Sequence, residues 1–296
     1  MDRVTVKVPA TTANMGPGFD CLGMALNVYN VMTFEQTGVA HFTVEGEGAA
    51  SLSDHLIRRS LAALYAEAGR KLPDLAISCQ SDIPVASGLG SSAAAIVGAL
   101  LGGNTLLGQP LSLDRLVQLA AQLEGHPDNT TPALLGGCQV VVRDGEKVVH
   151  ASIPLPQGLK AVLFVPDFPL PTAVTRQMLP QQVSMADAVH NISRTALLVT
   201  ALATGKLEYL RLATQDRLHQ PTRNTLFPAM TEIFEAALSA GALGVFLSGG
   251  GPTILAFALD KEESIADAML AAANKAGITG RTRIAEPNPV GAQALA

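Results

Sequence analysis

Several short stretches of this chain concentrate residue types that do chemistry. Residues 84–95 read P-V-A-S-G-L-G-S-S-A-A-A, with Gly88 and Gly90 around Leu89 and a serine pair, Ser91 and Ser92, just after. Glycine takes backbone conformations closed to other residues and lets the chain approach a ligand. The first N–H groups of a helix lack partners within it and lie at the positive end of its dipole, so a helix starting here favours an anion. A loop of small residues can wrap its N–H groups around phosphate oxygens. One of the serine hydroxyls could ligate Mg²⁺. No Gly-Lys-Ser/Thr occurs here, so a phosphate site would use backbone dipoles and metal where a Walker A loop uses lysine. The same residues also suit a glycine turn with a serine N-cap, and the loop alone leaves both readings open.

Residues 124–132 read E-G-H-P-D-N-T-T-P and crowd Glu124, His126, Asp128 and Asn129 into six positions. A carboxylate beside a phosphate loop is what Mg²⁺ needs, since that ion takes few protein oxygens and uses phosphates for the rest. His126 alone reads as structural. Residues 10–23, A-T-T-A-N-M-G-P-G-F-D-C-L-G, set Asn14 and Asp20 beside Gly16 and Gly18. This is a substrate-binding loop or a turn in which Asn and Asp cap their own backbone. Thr172 and Arg176 fall in a later loop, and D-R-L-H-Q-P-T-R presents Asp216 and Arg223 around Pro221. In S-G-G-G-P-T, residues 248–253, three glycines imply that something approaches the backbone closely.

The elements that must position these residues follow from periodicity. Residues 3–8 alternate as a strand ending at Pro9, which leaves 10–23 as a loop. Strands are predicted over 28–36, 41–45 and 75–79. A helix is predicted over 54–68 with Ser53 as N-cap, another from Ser91, and a third over 112–124 ending at Gly125. Residues 124–132 read as a loop, followed by a hairpin turning at Asp144-Gly145. Two prolines and a glycine in 153–158 suggest a linker, dividing the chain into lobes 1–155 and 156–296. The second lobe reads as strands at 159–165, 243–247, 254–259 and 279–285, with helices over 184–204, 206–214, 228–240 and 262–276.

The 296 residues are 48% hydrophobic and 15% charged, enough for a sizeable core and against disorder. A net charge of −5 without a basic run argues against a nucleic-acid partner. Cys21, Cys79 and Cys138 are odd in number and far apart, the pattern of reduced thiols in a cytoplasmic protein. Met1-Asp2-Arg3 runs straight into a strand pattern with no signal-peptide core. The uncharged interval 83–113 is broken by Asn104 and two prolines, so it reads as a buried helix and no membrane association is expected.

Together, P-A-T-T-A-N-M-G-P-G-F-D, P-V-A-S-G-L-G-S-S-A-A and S-G-G-G-P-T resemble the GHMP kinase superfamily. The first motif, with E-G-H-P-D-N and the two arginine segments, resembles its homoserine kinase branch over nearly the whole chain. The resemblance implies an α+β, two-lobed fold: a ribosomal-S5-domain-2-like N-terminal lobe that binds ATP, and a ferredoxin-like C-terminal lobe. It implies phosphorylation of L-homoserine by ATP with Mg²⁺, a step toward threonine, and a homodimer. Two alternatives remain: a GHMP kinase for another small alcohol, and a non-catalytic relative that binds nucleotide.

The resemblance also assigns roles. Pro84, Val85, Ala86, Ser87, Gly88, Leu89, Gly90, Ser91, Ser92, Ala93 and Ala94 match the triphosphate loop. Ser92 and Glu124 match the Mg²⁺ ligands. Arg176 and Arg223 suit the homoserine carboxylate, because guanidinium grips it in a fork. Asp128 is assigned to the ammonium, Asn14 and Asp20 to the hydroxyl with help from His126, and Gly250 to the substrate. Asn129 and Asp20 are the catalytic candidates. Asn129 stands where mevalonate-type relatives place an aspartate base, and an amide cannot take a proton as a carboxylate does. Transfer without a side-chain base is therefore expected. Thr222, where the family often has an aromatic, is expected to alter the pocket wall beside Arg223.

Overall fold

The computed structural model describes residues 2–47 and 53–295. Its first sheet has seven strands. From one edge these run β11 (Gln293–Leu295), β1 (Arg3–Ala13), β2 (Leu22–Gln36), β4 (Leu75–Ser81) and β3 (His41–Gly46). The hairpin β5 (Cys138–Asp144) and β6 (Lys147–Ile153) attaches to the start of β2. The second sheet is ordered β10 (Gly280–Ala285), β7 (Lys160–Pro166), β9 (Ile254–Ala258) and β8 (Gly244–Leu247), all neighbours antiparallel. In chain order this is the fourth, first, third and second strand, which is the ferredoxin-like arrangement. Helices α9 (Met230–Ala240) and α10 (Glu262–Lys275) pack on it. Its strands alternate: Val162 and Phe164 meet α9 and α10, while Ala161, Leu163 and Val165 join the core shared with the first lobe.

The loop expected around Thr172 and Arg176 is a short helix, residues 172–177, and in the first lobe two further expectations change. Strand β1 does not stop at Pro9 but continues to Ala13, and β2 starts at Leu22, ahead of the predicted Val28. The register slips between Pro9, opposite Tyr29, and Ala10, opposite Leu26. Such a bulge accommodates a proline, which has no N–H for the ladder. Asn27, skipped in that ladder, takes the chain's tail instead: its N–H donates to the Glu286 carbonyl at 3.0 Å. The loop expected over 10–23 thus shrinks to 14–21, and Thr11 and Thr12 become strand residues.

The second change is at 124–132, which is not a loop. α3 (Leu113–Glu124) ends at Gly125, and α4 (Pro127–Leu135) begins two residues later. Pro127 is tolerated at the first helical position, where its N–H would have no partner. Pro132 lies inside the helix and cannot donate to the Asp128 carbonyl. That carbonyl packs on Gly23 of β2, where a Cβ would fall 1.7 Å from it. Every residue from Pro127 to Leu134 is buried, so tertiary packing holds a helix that its two prolines disfavour.

The helix that follows the glycine loop, α2 (Ser91–Leu106), crosses the first sheet at unusually close range. A Cβ on Gly98 would lie 2.4 Å from Met32 Sδ, and one on Gly102 would lie 2.5 Å from the Phe34 ring. Gly103 makes the same allowance for Leu64 of α1 (Asp54–Glu67). After β10 the chain leaves the second sheet. Ala292 N–H donates to the Ala133 carbonyl, and β11 pairs with β1, so the end of the 156–296 segment closes onto the first lobe. Among the described residues no helix is long and apolar enough to cross a membrane.

Gly102→Ala gains helix propensity of about 1 kcal/mol, yet it forces a methyl into the Phe34 ring. Overpacking of this kind costs about 1–3 kcal/mol. The expected result is a lower midpoint in urea unfolding; an unchanged or higher midpoint shows that α2 can move off the sheet.

Candidate active site

Three loops meet where the two sheets adjoin. Loop 14–21 follows β1, the glycine loop precedes α2, and residues 248–253 join β8 to β9. Backbone bonds lace them: Thr11 N–H donates to the Leu89 carbonyl, Gly249 N–H to that of Ala13, and Thr253 N–H to that of Ser87, at 3.0–3.1 Å. Ser248 Oγ lies 2.7 Å from the Gly88 carbonyl and 2.8 Å from Thr12 Oγ1. Gly88 (φ +85°) sits so close that a Cβ would fall 2.2 Å from the Ser248 carbonyl. Among the described residues six non-glycines have positive φ, and four of them, Asn14, Met15, Asp20 and Ala86, lie in these loops. Strained backbone of this kind clusters at functional sites.

The loops enclose a cavity of about 230 Å³. Asn14, Val85, Ala86, Ser87, Gly88, Gly90, Ser91, Ser92, Glu124, His126, Asp128, Asn129, Arg176, Arg223 and Gly250, all predicted from sequence, line it. Pro84, Leu89, Ala93 and Ala94 do not line it. Leu89, Ala93 and Ala94 are buried beside it, and the Pro84 carbonyl accepts from Ser87 Oγ at 2.7 Å. Asp20 reaches the cavity only through Arg176. Thr222 is not part of the wall. Thr172 and Gly249, which sequence reasoning did not assign, are.

At the start of α2 the N-cap is Gly90 (φ 70°), and no side chain caps the helix. The N–H groups of the first turn are therefore available to an anion. Ser91 Oγ is buried without a hydrogen-bond partner. Ser92 Oγ donates to Glu124 Oε2 at 2.7 Å. Burial raises the Glu124 pKa above its ordinary value, against the Ser92 hydrogen bond and the charge of His126. A hydroxyl and a partly desolvated carboxylate in contact, beside an anion cradle, fit Mg²⁺, which keeps water and phosphate oxygens as its other ligands.

The first turn of α4 supplies His126, Asp128 and Asn129. His126 Nδ1 lies 2.8 Å from Asp128 Oδ1. Burial opposes a charged imidazole, but the hydrogen bond and charge of Asp128 prevail, and the His126 pKa is raised. Asn129 Oδ1 accepts from Thr11 Oγ1 at 2.8 Å. A Cβ on Gly90 would fall 2.0 Å from that same Thr11 hydroxyl. Thr11 therefore ties β1, the glycine loop and α4 together. Its place in a strand beyond Pro9 hid it from the sequence.

The arginines are placed differently from one another. Arg176, on α5 (Thr172–Gln177), is gripped by Asp20 in a fork: Nη1 to Oδ2 at 3.0 Å and Nη2 to Oδ1 at 2.5 Å. Asp20 is thus a partner of Arg176 here, not free for a hydroxyl. Arg223 ends the single turn α8 (Gln220–Arg223) and is 1% exposed. Its Nη1 donates to His219 Nδ1 at 2.7 Å and to the Gly249 carbonyl at 2.8 Å. Burial, and then the nearby Arg176 charge, lower its pKa to about 10. Phe19 lies 5.3 Å from the Arg176 guanidinium and 5.6 Å from that of Arg223, within cation–π range of both. Asp216, noted in the sequence with Arg223 around Pro221, is fully buried beside the site: its carboxylate accepts the N–H groups of Leu218, His219 and Gln220 and the Asn191 amide. Asn14 is also internally engaged, with Nδ2 donating to the Gly249 carbonyl and Oδ1 accepting from Asp20 N–H.

Comparison with known proteins bears on this arrangement. The family model described as GHMP kinases N terminal domain matches residues 55–137, and the one described as GHMP kinases C terminal matches residues 198–278. The homoserine kinase of Moorella thermoacetica is 47% identical over 276 residues, 92% of this chain and 93% of that one. That of a Synechococcus species is 45% identical over 289 residues, 95% and 94% of the two chains. The crystal structure of homoserine kinase from Cytophaga hutchinsonii superposes with a TM-score of 0.88 at 27% identity, over 100% of this chain and 98% of that one. The L. major mevalonate kinase, at 18% identity and a TM-score of 0.72, shares the fold.

His219 gives a pH test. Burial lowers its pKa from 6.5 to about 4. A depressed folded pKa contributes stability that is complete above the unfolded value and is lost as pH falls toward the folded one. The urea midpoint should therefore drop between about pH 6.5 and about pH 4, more steeply in the wild type than in His219→Asn. Parallel profiles for the two proteins would show that His219 titrates normally in the fold.

Proposed function

The chain belongs to the GHMP kinases, and on that premise we propose that it transfers the γ-phosphoryl group of ATP to the side-chain hydroxyl of L-homoserine. The products are ADP and O-phospho-L-homoserine, on the way to threonine. One observation carries the reading: a single cavity joins an uncapped helix N-terminus behind a glycine loop to two guanidinium groups. The first end suits a triphosphate and the second an amino-acid carboxylate. A kinase for a neutral alcohol has no use for two arginines there. A nucleotide sensor has no use for the Ser92–Glu124 pair.

Phosphoryl transfer needs positioning and charge neutralisation more than covalent help from the protein. N–H groups from Gly88 to Ser92 face the phosphates. Ser92 and Glu124 hold Mg²⁺, which when bound neutralises phosphate charge. The substrate carboxylate takes the Arg176 fork that Asp20 now fills, and Asp20 turns to the ammonium. His126, with its other nitrogen held by Asp128, orients the hydroxyl. Each carboxylate near the cavity is then engaged: Asp20 by the substrate ammonium, Asp128 by His126, and Glu124 by Ser92. Asn129 cannot act as a base. The hydroxyl proton therefore passes to the phosphate itself. We also propose that the protein acts as a cytoplasmic homodimer without nucleic-acid or membrane partners.

ADP release should be rapid with L-homoserine and negligible with mevalonate, galactose or L-threonine. Turnover of a neutral alcohol in preference to homoserine sinks the substrate assignment. A hydrogen bond to a charged group is worth about 1.5–3 kcal/mol, so Arg176→Ala should raise the homoserine KM roughly ten- to a hundredfold. For the base-free route, the acid limb of kcat against pH should be the same in Asp20→Asn as in the wild type. Its disappearance in that variant would identify Asp20 as a base.

A further inference from the structure

His219 is a buried titratable side chain to which the proposed reaction gives no task. It lies in the segment D-R-L-H-Q-P-T-R, one helical turn before Arg223. Its ring is enclosed on every side. Nε2 lies 2.7 Å from the Gly16 carbonyl, Nδ1 lies 2.7 Å from Arg223 Nη1, and the Phe19 ring centre is 5.3 Å away. A carbonyl only accepts, so Nε2 must carry the hydrogen. Guanidinium only donates, so Nδ1 must be the acceptor. The two neighbours demand the same neutral tautomer. The charged groups around the ring are Asp216, whose Oδ2 is 3.7 Å from Nε2, together with Arg223 and, farther off, Asp20. Asp216 is occupied by three backbone N–H groups and the Asn191 amide.

The consequence falls on Arg223. Its Nη1 has two hydrogens, and both are used, on His219 and on the Gly249 carbonyl. Nε is buried with no partner. The edge left open is therefore Nε with Nη2, the paired edge that grips a carboxylate in a fork. We propose that His219 is a positioning residue for homoserine binding: by accepting from Nη1 it rotates the Arg223 guanidinium so that the Nε–Nη2 edge faces the substrate carboxylate. This rests on the homoserine reading above. Phe19 packs against the His219 ring at a tilt of 39° and lies near both guanidiniums.

The two halves of the imidazole can be separated by substitution. Asparagine places a carbonyl oxygen near the Nδ1 position, and glutamine places an amide N–H near the Nε2 position. His219→Leu, which loses both, should raise the homoserine KM about tenfold with kcat and the ATP KM little changed. His219→Asn should recover most of that loss, and His219→Gln should not. Equal homoserine KM values for the asparagine and glutamine variants overturn the proposal, because a role in packing alone does not distinguish them. Should the variants fail to fold, ¹⁵N NMR of the wild type with labelled histidine decides the matter. A neutral ring protonated on Nε2 and perturbed by homoserine is expected. An Nδ1–H ring or an imidazolium at neutral pH overturns the proposal. A wild type that shows the expected tautomer but turns over no homoserine refutes the substrate assignment and leaves the His219–Arg223 arrangement standing.

Discussion

The site depends on backbone packed against backbone at Gly88. There the glycine loop presses on the Ser248 carbonyl and Gly251 of the loop joining β8 to β9, too close for a Cβ at Gly88. Because that contact is direct, the anion cradle of the first lobe and the arginines of the second end in the same cavity. The supporting bonds are of the same kind. Thr11 N–H and Gly249 N–H tie the end of β1 to the two glycine-bearing loops, and Thr253 N–H ties those loops to each other. Side-chain hydroxyls at Thr11 and Ser248 complete the seam. A backbone seam holds position better than side chains do, since it leaves few rotamers to vary, and the catalysis proposed here relies on position.

Most ionisable groups in the cavity are engaged in pairs. Arg176 is held by Asp20, His126 by Asp128, and Glu124 by Ser92. Of the two arginines, Arg223 alone has no carboxylate partner, and it is buried. Burying an unpaired cation is costly, which is why its pKa falls. Neutral acceptors, the Gly249 carbonyl and His219, take part of the load without cancelling the charge. The cation is thereby kept for an incoming anion. The same logic explains why Asp216, so close by, is consumed by backbone N–H groups.

Much of this was legible in the chain. Gly88, Gly90 and the serine pair identify the helix start because their chemistry is local. Ser53 and Gly125 cap helices as expected for the same reason. Legibility ended where neighbours overrule local preference. Pro9 looks like a strand end, but a bulge carries β1 past it and brings Thr11 to Asn129. Pro127, Pro132 and their polar neighbours look like a loop, but complete burial against β2 makes them a helix that aims His126, Asp128 and Asn129 together.

The sequence by itself determined the kinds of group at the site and the family, because these follow from residue type and spacing. Only the tertiary structure decided what each group is free to do. Asp20 and Arg176, 156 positions apart, occupy each other; Asn14 is spent on the Gly249 carbonyl; and His219, which nothing in its immediate sequence distinguishes, turns Arg223. A polar side chain has chemistry to offer only after its strongest neighbours have been satisfied, and those neighbours are chosen by the fold.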